Sequence, residues 1–251
     1  MPPGKTRLDK MLVSRGLVPT LEKARALILA KAVRVGDAYP DQAGFLIADD
    51  VQIHLKGDDN PYVSRGGLKL KGALASFALD VNGLIAFDVG ASTGGFTDCL
   101  LQAGVRKVYA LDVGYGQLAW KLRNDSRVVT IERTNIRYYE GADFEELPNI
   151  ATIDVSFISL KSVLPAVLQL LAKEAIILAL IKPQFEVRRE EVGPHGVGKD
   201  MQVRERVVEE IVSFINSSGL QAEGTCVSPL LGPEGNQEFF VFARKTDFNG
   251  N

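Results

Sequence analysis

The stretch with the most chemical promise is Phe87-Asp88-Val89-Gly90-Ala91-Ser92-Thr93-Gly94-Gly95-Phe96. An apolar run ends in an acid, and a glycine-rich turn then opens toward a helix-forming segment. Glycines let a ligand approach the backbone closely, and the first N–H groups of a helix offer partial positive charge to an anionic group. In a doubly wound sheet ligands gather at the carboxyl ends of the strands, where this turn falls. The spacing departs from the dinucleotide Gly-x-Gly-x-x-Gly pattern, because Ser92 stands where the second glycine belongs, which argues against NAD. One strand later Asp112, in Ala110-Leu111-Asp112-Val113-Gly114, stands where a ribose diol would be hydrogen-bonded. Asn135 follows the third strand, where an adenine edge could be read. Asp154 ends a fourth strand and Lys182, in Ile181-Lys182-Pro183-Gln184-Phe185, ends a fifth. Lys69 precedes the first of these strands and Glu238 begins the last. Singly, such residues are ordinary turn aspartates and snorkelling lysines. Four charges of alternating sign in one cleft are costly unless they pair or serve chemistry.

The elements that must carry them follow from apolar patterning. Strands are expected at 84–89, 107–112, 128–131, 150–154 and 175–181, with helices at 94–103, 117–123 and 160–171 between them. This alternation argues a parallel sheet covered on both faces. A further amphipathic helix is expected at 202–217 and late strands at 221–228 and 238–244, the second antiparallel at the sheet edge. Nearer the start, Leu8, Met11 and Leu12 lie at helical spacing, with Gly16 as C-cap. Thr20 is the N-cap of a second helix whose apolar face is Leu21, Ala24, Leu27 and Ile28. Short strands are expected at 33–35 and 51–55. Residues 56–61 are polar and rich in breakers, so they read as a linker between a domain at 1–59 and another at 60–251.

Composition narrows the class. The chain has 251 residues, 46% hydrophobic and 24% charged, an ordinary globular balance. No apolar run reaches the ~18–20 residues of a membrane helix, and the start lacks the apolar core of a signal peptide. Cys99 and Cys226 form neither a metal spacing nor a disulfide framework and read as buried thiols of a reducing cytoplasm. Two histidines are too few for a histidine-based metal site, so no metal is expected. The net charge of −2 conceals an asymmetry: residues 1–34 hold eight Lys/Arg against two acids, and residues 35–60 one Lys against six Asp. A local basic face is what a phosphate backbone would feel. Residues 193–200, Gly-Pro-His-Gly-Val-Gly-Lys-Asp, mimic a P-loop, but Asp200 replaces the Ser or Thr that binds magnesium. They are expected to form a substrate-side loop.

Arg7-Leu8-Asp9, Arg15-Gly16-Leu17, the Ala24…Leu27-Ile28 helix and Val33-Arg34-Val35-Gly36 together resemble the S4 RNA-binding domain. Lys69, Asp154, Lys182 and Glu238 resemble, in order and element, the Lys-Asp-Lys-Glu tetrad of RNA 2′-O-methyltransferases of the FtsJ/RrmJ type. From about Thr6 to Arg244 the chain is similar to the TlyA family, also called hemolysin A, in Val63-Ser64-Arg65-Gly66-Gly67, residues 90–97, 112–118 and 154–159, and Lys182-Pro183-Gln184-Phe185-Glu186. The resemblance implies an α/β fold: a Rossmann-like methyltransferase with a mostly parallel seven-stranded sheet and an antiparallel edge strand, preceded by a small α+β S4 domain. It implies S-adenosyl-L-methionine-dependent 2′-O-methylation of cytidine in ribosomal RNA, on free RNA or ribosomal subunits. The protein is expected in the cytoplasm, without membrane insertion, its oligomeric state open with a monomer favoured. Catalysis would fall to Lys69, Asp154, Lys182 and Glu238. Cofactor contacts would fall to Asp88, Gly90, Ala91, Ser92, Thr93, Gly94, Gly95, Phe96, Asp112, Val113, Asn135 and Asp154. RNA contacts would fall to Arg7, Arg15, Lys23, Arg25, Lys31, Arg34 and Arg65. A non-catalytic RNA-binding protein and a membrane-active hemolysin remain the competing readings.

Overall fold

A computed structural model describes residues 4–55, 60–187, 201–232 and 235–246. The chain divides into two compact units, residues 1–64 and 65–251. Most of the expected linker, 56–59, and the P-loop mimic at 193–200 lie outside the described residues.

The first unit runs β1 (Lys5–Arg7), α1 (Leu8–Ser14), α2 (Leu21–Leu29), β2 (Val33–Val35), β3 (Leu46–Ala48) and β4 (Ile53–Leu55). β1 pairs antiparallel with β3, and β2 with β4. Leu8, Leu12, Ala24, Ile28 and Val33 are fully buried and form one small core. Thr20 caps α2 as expected, its side chain accepting from the Lys23 N–H. α1 starts without a side-chain cap. Its first N–H groups are instead satisfied by the carbonyls of Phe45 and Ala43, which exempts the helix from the usual N-cap residue. Asp9, in that first turn, is buried and accepts from Arg7 (2.8 and 3.0 Å), from Arg25 (3.2 Å) and from the Lys10 N–H. Arg15 donates to the carbonyls of Val51 and Asp49, both at 2.6 Å, tying α1 to the loop before β4.

The second unit opens with α3 (Arg65–Ser76) and continues as β5 (Ile85–Val89), α4 (Gly95–Gln102), β6 (Lys107–Leu111), α5 (Trp120–Arg123) and β7 (Val128–Ile131). A 3-10 turn at Ile136–Tyr138 leads to β8 (Ile150–Ile153), α6 (Leu160–Gln169), β9 (Ala175–Ile181), α7 (Pro183–Glu186), α8 (Met201–Ser217), β10 (Gln221–Val227) and β11 (Phe239–Lys245). Seven strands form one sheet in the order β10-β11-β9-β8-β5-β6-β7. All neighbours are parallel except β11, which is antiparallel to both β9 and β10. The predicted reversal of the last strand is therefore present, one place in from the edge. Every residue of β5 and β8 is buried, as in a sheet covered on both faces. Phe87 and Tyr109 pack on Phe144, with ring centroids 5.1 and 4.4 Å away. Val207, Ile211 and Ile215 give α8 its buried stripe. The chain leaves β5 for β6 and β7, then returns to β8 on the opposite flank. The carboxyl ends of β5 and β8 thus border the crevice where strand order reverses, the place such sheets bind ligands.

α3 was not anticipated. Its apolar residues Leu70, Ala73 and Leu74 have helical spacing, but Gly66, Gly67 and Gly72 dilute the pattern and lower helix propensity.

The Arg7 guanidinium first, then Arg25 and the Lys10 N–H, hold the Asp9 carboxyl at about 2 against the opposing effect of burial. A carboxylate depressed by folding stabilises above its unfolded pKa, and the contribution is lost as pH falls through the folded value. The first unit should therefore lose stability between about pH 4 and pH 2. Thermal melts of Asp9→Asn should be lower at neutral pH and flatter across that window, and an unchanged acid slope would contradict this.

Candidate active site

The glycine-rich turn leaves β5 at Val89. Gly90 has φ +87°, and a Cβ on it would lie 2.3 Å from the carbonyl oxygen of Asp154. Only glycine lets the turn pass this close to the end of β8. Gly94, at φ +95°, is the N-cap of α4. Gly90 and Ala91 both donate to the Leu111 carbonyl, at 2.9 and 3.0 Å. Asp112 accepts from the Ser92 N–H (2.8 Å) and the Gly114 N–H (2.7 Å), so one carboxylate fastens the turn after β5 to the turn after β6. Each of its oxygens keeps a second lone pair for a ligand. Ser92 is exposed, Thr93 half-buried and Val113 exposed at this rim. Ala91, Gly95 and Phe96 are buried, with Phe96 turned inward against Phe240 at 5.9 Å. Asn135 spends its side-chain oxygen on the Arg137 N–H, capping the 3-10 turn.

Asp88, expected among the cofactor contacts, is fully buried behind the turn, accepting from Thr97 Oγ1 (2.7 Å) and Thr152 Oγ1 (2.9 Å). Burial pushes its carboxyl up to about 6, with the charge of Asp154 adding and the threonine hydroxyls opposing. Its place is that of a brace joining β5, α4 and β8.

The four charges form two pairs. Lys182 Nζ lies 2.6 Å from Asp154 Oδ1 as an ion pair, and its hydrogen bond goes to Ser156 Oγ at 2.9 Å. Lys69, on α3, lies 2.5 Å from Glu238 Oε2. Lys69, Lys182 and Glu238 are buried, Asp154 partly. Strand register explains the convergence. Val89 pairs with Ile153, so Asp154 emerges beside Gly90. Ile181 pairs with Phe239 across the antiparallel β9–β11 ladder, so Lys182 and Glu238 occupy adjacent positions. Asp154 Oδ1 is buried with the Lys182 ammonium as its partner, and Glu238 Oε1 is buried without a hydrogen-bond partner among the described residues. Loss of one member of such a pair costs about 3–5 kcal/mol, because its partner is left charged and buried.

Two further residues beside the lysine were not singled out from sequence. Phe157, at φ +64° and 89% exposed, lies 4.9 Å from the ring of Phe185. An exposed aromatic in the left-handed region is a strained arrangement of the kind found at functional sites, but strain leaves no trace in composition. Glu186 accepts from Ser159 Oγ and from the Leu160 N–H at the start of α6. Its position in Lys-Pro-Gln-Phe-Glu was visible; its partners were not.

The expected RNA contacts sort unequally. Lys23 and Lys31 are exposed and make no ion pair among the described residues. Arg7 and Arg25 are exposed but engaged with Asp9. Arg34 is half-buried in β2, and Arg65 is exposed at the start of α3. Arg15 is spent on two backbone carbonyls, which makes it a structural tie. Among the described residues no group of three or more His, Cys, Asp or Glu is placed to hold a metal ion, and no helix is long and apolar enough to cross a membrane.

Residues 62–245 match the family described as FtsJ-like methyltransferase. The chain is 49% identical to the proposed rRNA methyltransferase YqxC of Bacillus subtilis (strain 168), over 94% of this chain and 85% of that protein. It is 43% identical to the 16S/23S rRNA (cytidine-2′-O)-methyltransferase TlyA of Mycobacterium tuberculosis (strain ATCC 25618 / H37Rv), over 96% of this chain and 90% of that one. Among solved structures, a proposed hemolysin from Streptococcus thermophilus superposes with a TM-score of 0.82 at 45% identity, covering 98% of this chain and 90% of that one.

Gly90 and Gly116 both have positive φ, but a Cβ on Gly116 meets nothing within 4 Å. Gly116→Ala should therefore cost only the left-handed penalty, about 1–2 kcal/mol. Gly90→Ala adds a backbone collision and should lower the melting temperature of the second unit further. Equal melting temperatures would contradict the close approach.

Proposed function

The chain belongs to the FtsJ-like methyltransferase family, and from that premise we propose that it transfers a methyl group from S-adenosylmethionine to a cytidine 2′-hydroxyl in ribosomal RNA. The observation that carries this reading is the Lys182–Asp154 pair, set beside a glycine turn that has no room for a side chain. The turn suits the cofactor. Its rim carries Ser92, Thr93 and Val113, and Asp112 can take a ribose diol on its remaining lone pairs. When bound, S-adenosylmethionine supplies an electrophilic methyl group on a sulfonium.

The protein then has three tasks: alignment, exclusion of water, and management of one proton. Lys182 Nζ orients the 2′-hydroxyl and relays its proton to Asp154 Oδ1, 2.6 Å away, as the methyl passes from sulfur to oxygen. Asp154 fixes the lysine from one side and Ser156 from the other. Glu238, at the adjacent strand position, and Lys69, paired with it from α3, complete the reacting site and supply anionic and cationic charge next to the acceptor. Phe157 offers an exposed ring on which an unstacked base can rest.

The first unit supplies RNA affinity as an S4-like domain, residues 1–59 of a chain whose contacts divide after Ser64. Lys23 and Lys31 are exposed and make no ion pair among the described residues, with Arg7, Arg25 and Arg34 adding to the field. With rRNA as its substrate the protein would act in the cytoplasm. Paired buried charges beside a close-packed glycine turn are what an idle scaffold domain would not need.

Labelled methyl from S-adenosylmethionine should appear in rRNA taken from a strain lacking the chain, as 2′-O-methylcytidine on nucleoside analysis. Lys182→Ala should lower turnover by at least about 10²-fold, the scale of a positioned proton acceptor; near-native turnover would remove Lys182 from the mechanism. In RNA binding, Lys23→Ala/Lys31→Ala should reduce the slope of log K against log[salt] by roughly 1–2. Arg15→Ala should instead lower the melting temperature of the first unit. An unchanged slope in the double lysine variant would separate the first unit from RNA.

A further inference from the structure

Lys182 and Asp154 each stand one residue beyond the sheet. β9 ends at Ile181 and β8 at Ile153. Past those roots the strand ladder no longer fixes the backbone, and the two segments part into α7 and toward α6. A lysine–carboxylate pair fixes them poorly by itself, since a lysine side chain has many rotamers to lose. Something else must hold the two main chains in register.

We propose that Glu186 is the positioning residue of this site, a clamp that sets the separation of the Asp154 segment from the Lys182 segment. This rests on the methyl-transfer reading above. Glu186 closes α7, four residues after Lys182 in sequence. Its Oε1 accepts from the Leu160 N–H at 2.8 Å, and its Oε2 accepts from Ser159 Oγ at 2.5 Å. Leu160 is the first residue of α6, whose N–H has no partner within the helix. Ser159 is the N-cap, and its Oγ at the same time accepts from the Lys161 N–H. Glu186 therefore completes the cap of α6 from a different element, with its charge at the helix end that favours an anion. The clamp grips main chain on both sides: α7, which Lys182 N-caps, and the start of α6, to which Asp154 leads. Between reacting pair and clamp, the Phe157–Phe185 ring contact and the Lys182–Ser156 hydrogen bond span the same two segments. Glu186 is partly buried, and burial raises its carboxyl pKa while the Leu160 and Ser159 donors oppose. The position pays a desolvation cost that a solvated surface acid would avoid. Among the described residues it accepts hydrogen bonds from Ser159 and Leu160, so it acts through the start of α6 and is not itself a catalytic group.

The test compares wild type, Glu186→Ala, Glu186→Gln and Ser159→Ala in the full chain, using S-adenosylmethionine and rRNA. A misplacement of about 1 Å costs on the order of 10²-fold in rate. Glu186→Ala should lower kcat by about 10–100-fold, with the KM for RNA within about threefold. Glu186→Gln keeps an acceptor for the Leu160 N–H and should restore kcat to within about threefold of wild type. Ser159→Ala, which removes one of the two contacts, should lower kcat severalfold at constant KM, and it serves if Glu186→Ala fails to fold. Amide exchange at Leu160 should be faster in Glu186→Ala and unchanged in β5. The proposal is overturned if Glu186→Ala or Ser159→Ala keeps wild-type kcat. It is equally overturned if the Gln variant is as slow as Ala while KM and melting temperature collapse together, the pattern of a merely structural residue. A wild type that transfers no methyl overturns the functional reading and the clamp together; an active wild type with an unaffected Ala variant overturns the clamp alone.

Discussion

Two lysines and two carboxylates at the end of an apolar sheet are tolerable only because they neutralise one another. The Lys182–Asp154 and Lys69–Glu238 pairs lie at 2.6 and 2.5 Å, with three of the four residues buried. Ion-pair burial of this kind seldom adds stability over an apolar replacement. On the proposed reading the cluster is kept for chemistry rather than for stability. The site therefore depends on keeping the pairs matched and adjacent.

The sheet enforces that adjacency. Asp154 takes its place from the β5–β8 ladder, and Lys182 and Glu238 take theirs from the β9–β11 ladder. Side chains alternate faces along a strand, so a slip of one residue in either ladder would send a charge to the wrong side. The antiparallel insertion of β11 between β9 and β10 is what brings the start of that strand, and Glu238 with it, to the carboxyl end of β9. A fully parallel sheet would put Glu238 at the far end.

Much of this was legible in sequence because burial on both faces leaves continuous apolar runs, and each expected parallel strand appears within a residue or so of its place. The glycine turn was legible because positive φ and close approach select glycine. What escaped depends on contacts between distant segments. α3 was hidden by its glycines, although it carries Lys69. Arg15 looks like any surface arginine until its guanidinium is found on the carbonyls of Asp49 and Val51. Asp88 looks like any strand-end acid until two threonines, one of them from β8, are found donating to it. The tetrad was expected from likeness to a family; register accounts for the places of Asp154, Lys182 and Glu238, and α3 brings Lys69 to Glu238.

The central claim is that the two pairs act as one site, and a double-mutant cycle on kcat tests it directly. The arms are Lys182→Ala, Glu238→Gln and the double variant, with rRNA methyl transfer as readout. Residues that act as a unit are strongly non-additive, so the double variant should be little slower than the worse single variant. Rate losses that multiply in full would mean that Glu238 and Lys69 form an independent structural pair and that the site is smaller than described.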